Sequence, residues 1–133
     1  MTQKQHQRVT PEWITSLQAN QIFVFGSNAN GLHAGGAARV AVQQFGAVWG
    51  QGEGLQGQSY AIPTMEGIQN IPPAVHRFTA FAAEHPHLHF LVTPIGCGIA
   101  GYAESQIAPM FSQAAQLDNV WLPAGFWAIL ERE

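Results

Sequence analysis

The string Gly96-Cys97-Gly98-Ile99-Ala100-Gly101 stands between an apolar run, His89 to Thr93, and an amphipathic stretch. Glycine lets the backbone bend sharply and puts no side chain between its N–H groups and a ligand. Successive N–H groups leading into a helix therefore bind an anion without lysine or arginine. The spacing also matches the dinucleotide fingerprint G-x-G-x-x-G, but that reading needs an acid just after the next strand to hold a ribose. Leu122-Pro123-Ala124 offers none, and Asp118 precedes that strand. A second match, Gly52-Glu53-Gly54-Leu55-Gln56-Gly57, runs on into Gln58 to Pro63, which reads as extended, so the required helix is missing. The absence of Gly-Lys-Ser/Thr excludes a Walker A loop, and Ala103 stands where a cysteine phosphatase loop carries arginine. A phosphate cradle built from backbone is the reading that remains for Gly96 to Gly101.

Few side chains in the glycine-rich segments are suited to acid–base or nucleophilic work. Glu53 is the one carboxylate inside a glycine patch. Facing a ribose, it would orient or deprotonate a water for attack at an anomeric carbon; facing solvent, it is a plain loop acid. His33 has two readings as well, a base or phosphate ligand on one hand and a solvent-facing loop histidine on the other. Cys97 precedes a helix, whose dipole lowers a thiol pKa. No His or Lys stands near it in sequence, so it reads better as a small loop residue than as a nucleophile. His85, His87 and His89 alternate, but Pro86 and the lack of acidic partners argue against a metal site. Neither a metal nor a cofactor is expected.

These segments need elements to hold them. Thr10-Pro11-Glu12 reads as an N-cap with proline at the first helical position, opening a helix through about Leu17. Ile22 to Phe25, His89 to Thr93 and Val120 to Leu122 are short runs, apolar nearly throughout, that read as buried strands, with a further short strand at Ser59 to Pro63. Apolar positions at helical spacing predict helices over Gly36 to Phe45, from Pro72-Pro73 onward, over Ile107 to Ala114, and a last turn at Phe126 to Leu130. Strands alternating with helices define an α/β fold, with a mixed or mostly parallel sheet in a three-layer α-β-α arrangement. Ligands of such sheets bind beyond the carboxyl ends of the strands. The glycine patches after Phe25 and Thr93 would meet at that edge.

Composition narrows the partners. The chain of 133 residues, expected to be one domain over 1–133, has 47 % hydrophobic and only 10 % charged residues. A net charge of −3 leaves no basic stripe for a long nucleic acid. Apolar runs far shorter than ~20 residues argue against a membrane span, and the start, MTQKQHQRVT, has no apolar leader core. The single cysteine forms no internal disulfide framework. A cytoplasmic protein is the expectation, and low charge with many apolar residues leaves room for a homodimer.

Two strings carry a resemblance. Ile22-Phe23-Val24-Phe25-Gly26-Ser27-Asn28-Ala29-Asn30, with Gly35-Gly36-Ala37-Ala38 after it, resembles the first strand and Asn-rich loop of macro domains. Val92-Thr93-Pro94-Ile95-Gly96-Cys97-Gly98-Ile99-Ala100-Gly101-Tyr102 is similar to their second, phosphate-binding loop. More narrowly, Gly50 to Thr64, GQGEGLQGQSYAIPT, resembles small macro-domain-like proteins of bacteria and phages. The resemblance covers roughly residues 21 to 124. It implies a module that binds an ADP-ribose-like nucleotide, or alternatively a hydrolase of ADP-ribosyl bonds. In that frame Asn28 and Asn30 face the distal ribose, Gly35 and Gly36 lie close to the phosphates, and Gly26 and Ser27 are ligand-binding as well. Gly96, Cys97, Gly98, Ile99, Ala100 and Gly101 wrap the diphosphate, and Tyr102 flanks the ligand. Glu53, with His33 second, would be the catalytic base of the hydrolase alternative. Many macro domains grip adenine with an early acid, and the only early acid here is Glu12.

Overall fold

The computed structural model describes residues 8–132; most of the N-terminal stretch read for a leader lies outside them. The run QIFVFGS forms β1, Gln21–Ser27, at the centre of a five-stranded sheet. The other strands are β2 (Gly54–Gln56), β3 (Ser59–Pro63), β4 (His89–Val92) and β5 (Val120–Trp121). Their order is β2-β3-β1-β4-β5, parallel throughout except for the β2–β3 pair. Phe25 pairs with Ala61 on one side of β1 and Val24 with Val92 on the other.

Helices cover both faces because β1 is apolar on both. Ile22 and Val24 pack with Tyr60, Ile62, Phe90 and Val92 beneath α2 (Ile71–Glu84) and α4 (Ala124–Glu131). Phe23, Phe25 and Ala61 pack on the opposite face, beneath α1 (Gly36–Gln44). The α/β class and the mostly parallel sheet are thus as the strand pattern predicts. Tyr60 lies in an aromatic cluster with Phe78, Phe81 and Phe90, at centroid distances of 5.2, 5.3 and 6.5 Å. Burial first, and the nearby Glu53 charge second, push its phenol up to about 12. No helix among the described residues is long and apolar enough to cross a membrane.

Two expected helices do not form as written. Thr10 to Leu17 is not helical. Its backbone is engaged elsewhere: the Thr10 N–H donates to Leu122 O (2.9 Å) and the Leu122 N–H to Arg8 O (3.2 Å). The Arg8 guanidinium fixes this segment further by donating to the carbonyls of Ala115, Leu117 and Val120. The Ile107 to Ala114 helix is broken as well. Only α3, Glu104–Ile107, is α-helical, and 3-10 turns follow at Ala108–Phe111 and Ala114–Gln116. Pro109 has no N–H to donate, and its ring clashes with the preceding turn. The apolar spacing still holds, since Ile107, Phe111 and Ala114 are all fully buried.

Candidate binding cleft at the carboxyl edge of the sheet

Because β1 and β4 are adjacent and parallel, the loops that follow them leave the sheet side by side. The first loop is shaped by Asn28, whose Oδ1 accepts from the Leu32 N–H (2.9 Å) while its Nδ2 donates to Leu32 O (3.0 Å). The Glu66 carboxylate accepts from the Ala29 N–H at 2.8 Å. The second loop closes on itself: the Tyr102 N–H donates to Gly96 O (2.8 Å) and the Gly101 N–H to Gly98 O (3.0 Å). Gly96 makes room for the apolar core beneath, because a Cβ there would meet Ile107 at 3.0 Å.

The two loops enclose a cavity of about 320 Å³. Of the residues expected at a ligand, Gly26, Ser27, Asn28, Gly35, Gly36, Gly96, Gly98, Ile99 and Ala100 line it. Leu32, Thr64, Met65, Thr93 and Pro94 line it as well. Sequence reasoning missed these five, although Thr93-Pro94 at the very end of a buried strand was a usable signal. No charged side chain is among the described residues that line it. Its hydroxyls face the fold, with Thr93 donating to Val24 O (2.7 Å), Thr64 to Ser27 O (3.3 Å) and Ser27 to Gly52 O.

What the lining offers is backbone. Helix α1 begins at Gly36 after Gly35, with no side chain capping its first turn. The first N–H groups of a helix have no intrahelical acceptor and carry its positive pole. Across the cavity, among the described residues, the N–H groups of Gly98, Ile99 and Ala100 donate to no carbonyl or side chain. The Ile99 side chain spans the gap; its Cδ1 lies 3.2 Å from where a Cβ on Gly35 would be. Two sets of backbone donors without an acceptor among the described residues thus belong to residues that line one cavity.

The remaining expected residues do not line this cavity. Asn30 is exposed on the first loop, and Gly101 lies outside the lining. Cys97 and Tyr102 pack, half-buried, against the large core, so they shape the second loop from behind. Burial, and secondarily the Glu104 charge, raise the Cys97 thiol, the opposite of what a nucleophile needs. His33 is no solvent-facing loop residue. It is 2 % exposed, shares a hydrogen bond with Gln51 O (3.0 Å) and meets Phe25 edge-on at 5.2 Å. Glu53 is held by Arg77 of α2 in a two-pronged pair, at 2.5 and 2.9 Å. The second glycine patch, Gly46 to Gly57, buttresses the first loop through Gly50 and Gly52. Gly50 donates to Gly31 O (2.8 Å), and Gly52 packs so closely that a Cβ would meet Asn28 O at 2.3 Å.

Exposed pairs such as Glu53–Arg77 contribute little in water. Glu53→Gln is therefore expected to lower stability by less than about 1 kcal/mol. A change in melting temperature of more than a few degrees would show that the pair is essential to the buttress.

A second chamber of about 480 Å³ adjoins the first and shares Ala37, Thr93 and Pro94 with it. Thr10, Glu12 and Trp13 line it from the N-terminal segment, Glu104 from the start of α3, and Pro123 to Gly125 from the entry to α4. Comparison with protein-family models, curated proteins and solved structures found no match.

Proposed function

We propose that this chain is a macro-domain-like module that binds an ADP-ribose-like nucleotide, with the diphosphate in the seat between the two glycine loops. One observation carries the reading: two sets of such backbone N–H groups belong to residues that line one cavity, and no charged side chain is among the described residues of that lining. Such a seat suits an anion that backbone donors and a helix dipole neutralise together. The adjoining chamber supports a nucleotide over a free phosphate, because it extends the cleft by the space of a base and ribose. Glu12, the only early acid of the chain, lines that chamber.

Binding without chemistry is the better supported form of this reading. Glu53 is engaged by Arg77, and His33 is packed behind the first loop, so neither offers a base to the cavity. Thermal unfolding with ADP-ribose tests the proposal. At about 100 times its dissociation constant the ligand should add ~2.7 kcal/mol of stability, a rise of several degrees. An unchanged melting temperature at millimolar ADP-ribose would overturn the assignment, and release of ADP-ribose from a modified protein would favour the hydrolase instead.

A further inference from the structure

We propose that the second chamber selects by charge, accepting an ADP-ribose-like nucleotide but refusing the same nucleotide with a phosphomonoester on the ribose next to the base. The inference rests on the preceding reading of the cleft.

Thr10 and Trp13 of the N-terminal segment form one wall of the chamber. Thr10 is 7 % exposed and lines the chamber, with its hydroxyl buried in the wall and without a hydrogen-bond partner among the described residues. The Trp13 indole is 82 % exposed along the same wall and offers a flat apolar face.

Among the described residues that line the chamber, the charged side chains are all acidic. Glu12 and Glu104 come from separate segments of the chain and line the same space. The place of Glu104 depends on Gly125, where a Cβ would meet its two carboxylate oxygens at 2.3 and 2.4 Å. A glycine in the first turn of α4 thus leaves room for the carboxylate beside that helix's positive pole.

No cation answers these carboxylates among the described residues that line either chamber. Among the described residues Arg8 is spent on three carbonyls, Arg77 on Glu53, and Arg132 donates to Ala128 O at the far end of α4. Arg39 is exposed on α1, roughly 130° round the helix from the Ala37–Val40 stripe that borders the chamber.

A bridging diphosphate carries one negative charge per phosphate and fits the backbone seat. A ribose phosphomonoester carries about −1.5 to −2 at neutral pH, more than a bridging phosphate. The start of α4 beside this chamber is already taken by the Glu104 carboxylate. With the diphosphate seated between Gly36 and Gly98, the base-side ribose lies along Ala37, Thr93 and Pro94. Its substituents then emerge towards Glu12 and Glu104. A phosphate there meets two carboxylates and no arginine, so it is repelled rather than held.

Calorimetric titration with ADP-ribose and with its 2′-phosphate, at low and at high salt, tests the proposal. The 2′-phosphate is expected to bind at least about tenfold more weakly at low salt, a difference of ~1.4 kcal/mol. High salt should narrow the gap by screening, and so should the double variant Glu12→Gln, Glu104→Gln. Equal affinities in the parent protein would overturn charge selection while leaving the nucleotide reading intact. A gap that neither salt nor the variants narrow would be steric and would overturn it too. If neither nucleotide binds, the reading of the cleft falls and the selection with it.

Discussion

Gly98→Val is expected to weaken ADP-ribose binding by about 100-fold or more, ~2.7 kcal/mol, with the melting temperature nearly unchanged. Gly98 lines the first chamber at the tip of the second loop, and a Cβ built on it meets nothing within 4 Å. Its φ is not in the left-handed region, so a branched side chain is tolerated by the backbone. The fold therefore gains no clash. The ligand does, because the isopropyl group would occupy the space in front of the Gly98, Ile99 and Ala100 N–H groups. A phosphate held off these donors loses several charge-assisted hydrogen bonds at once. Undiminished affinity in Gly98→Val would show that the anion does not sit on this loop.

Gly52→Val should act in the opposite way, through the fold. A Cβ at Gly52 would meet Asn28 O at 2.3 Å and Ala29 O at 2.5 Å. Both are backbone atoms of the first loop, and that loop is pinned by Ser27 to Gly52 O, by Gly31 to Gly50, and by Glu66 to Ala29. It cannot move aside without breaking those bonds. Overpacking of this kind costs about 1–3 kcal/mol and sometimes more, a fall in melting temperature on the order of ten degrees. Binding should be lost as well, because Asn28, Gly35 and Gly36 move with the loop. A variant that melted and bound like the parent would mean that the second glycine patch does not buttress the first loop.

Much of this architecture is legible in the chain. Ile22 to Phe25 and His89 to Val92 are apolar almost without interruption, which suits only strands covered on both faces. A glycine-rich loop follows each, so adjacent parallel strands bring Asn28 and Gly98 to one cavity. The helices at Gly36 and Ile71 also follow from apolar spacing. Where the reading failed, a long-range bond outweighed a local preference. Thr10-Pro11-Glu12 has the composition of a helix start, but its backbone bonds to Leu122, more than a hundred residues away. Pro109 is visible in the sequence, yet the apolar spacing of Ile107, Phe111 and Ala114 holds in short 3-10 turns as well as in an α-helix.

The roles of individual polar residues were beyond the sequence, for one physical reason. Local pattern determines which residues are apolar and where the backbone turns, but a side chain's chemistry depends on its neighbours in space. Glu53 sits among glycines, and only the packing of α2 brings Arg77 to it. His33 sits in a polar loop, and only the buttress buries it against Gln51 and Phe25. Glu12 and Glu104 are far apart in the chain and share a chamber because the segment after Arg8 is bound to the end of β5. The sequence by itself determined the strands, the loops that follow them and the cation-poor composition of the site. The tertiary structure decided which donors, acids and bases face the cavity and which are spent in holding the fold, because those outcomes rest on contacts between residues remote in sequence.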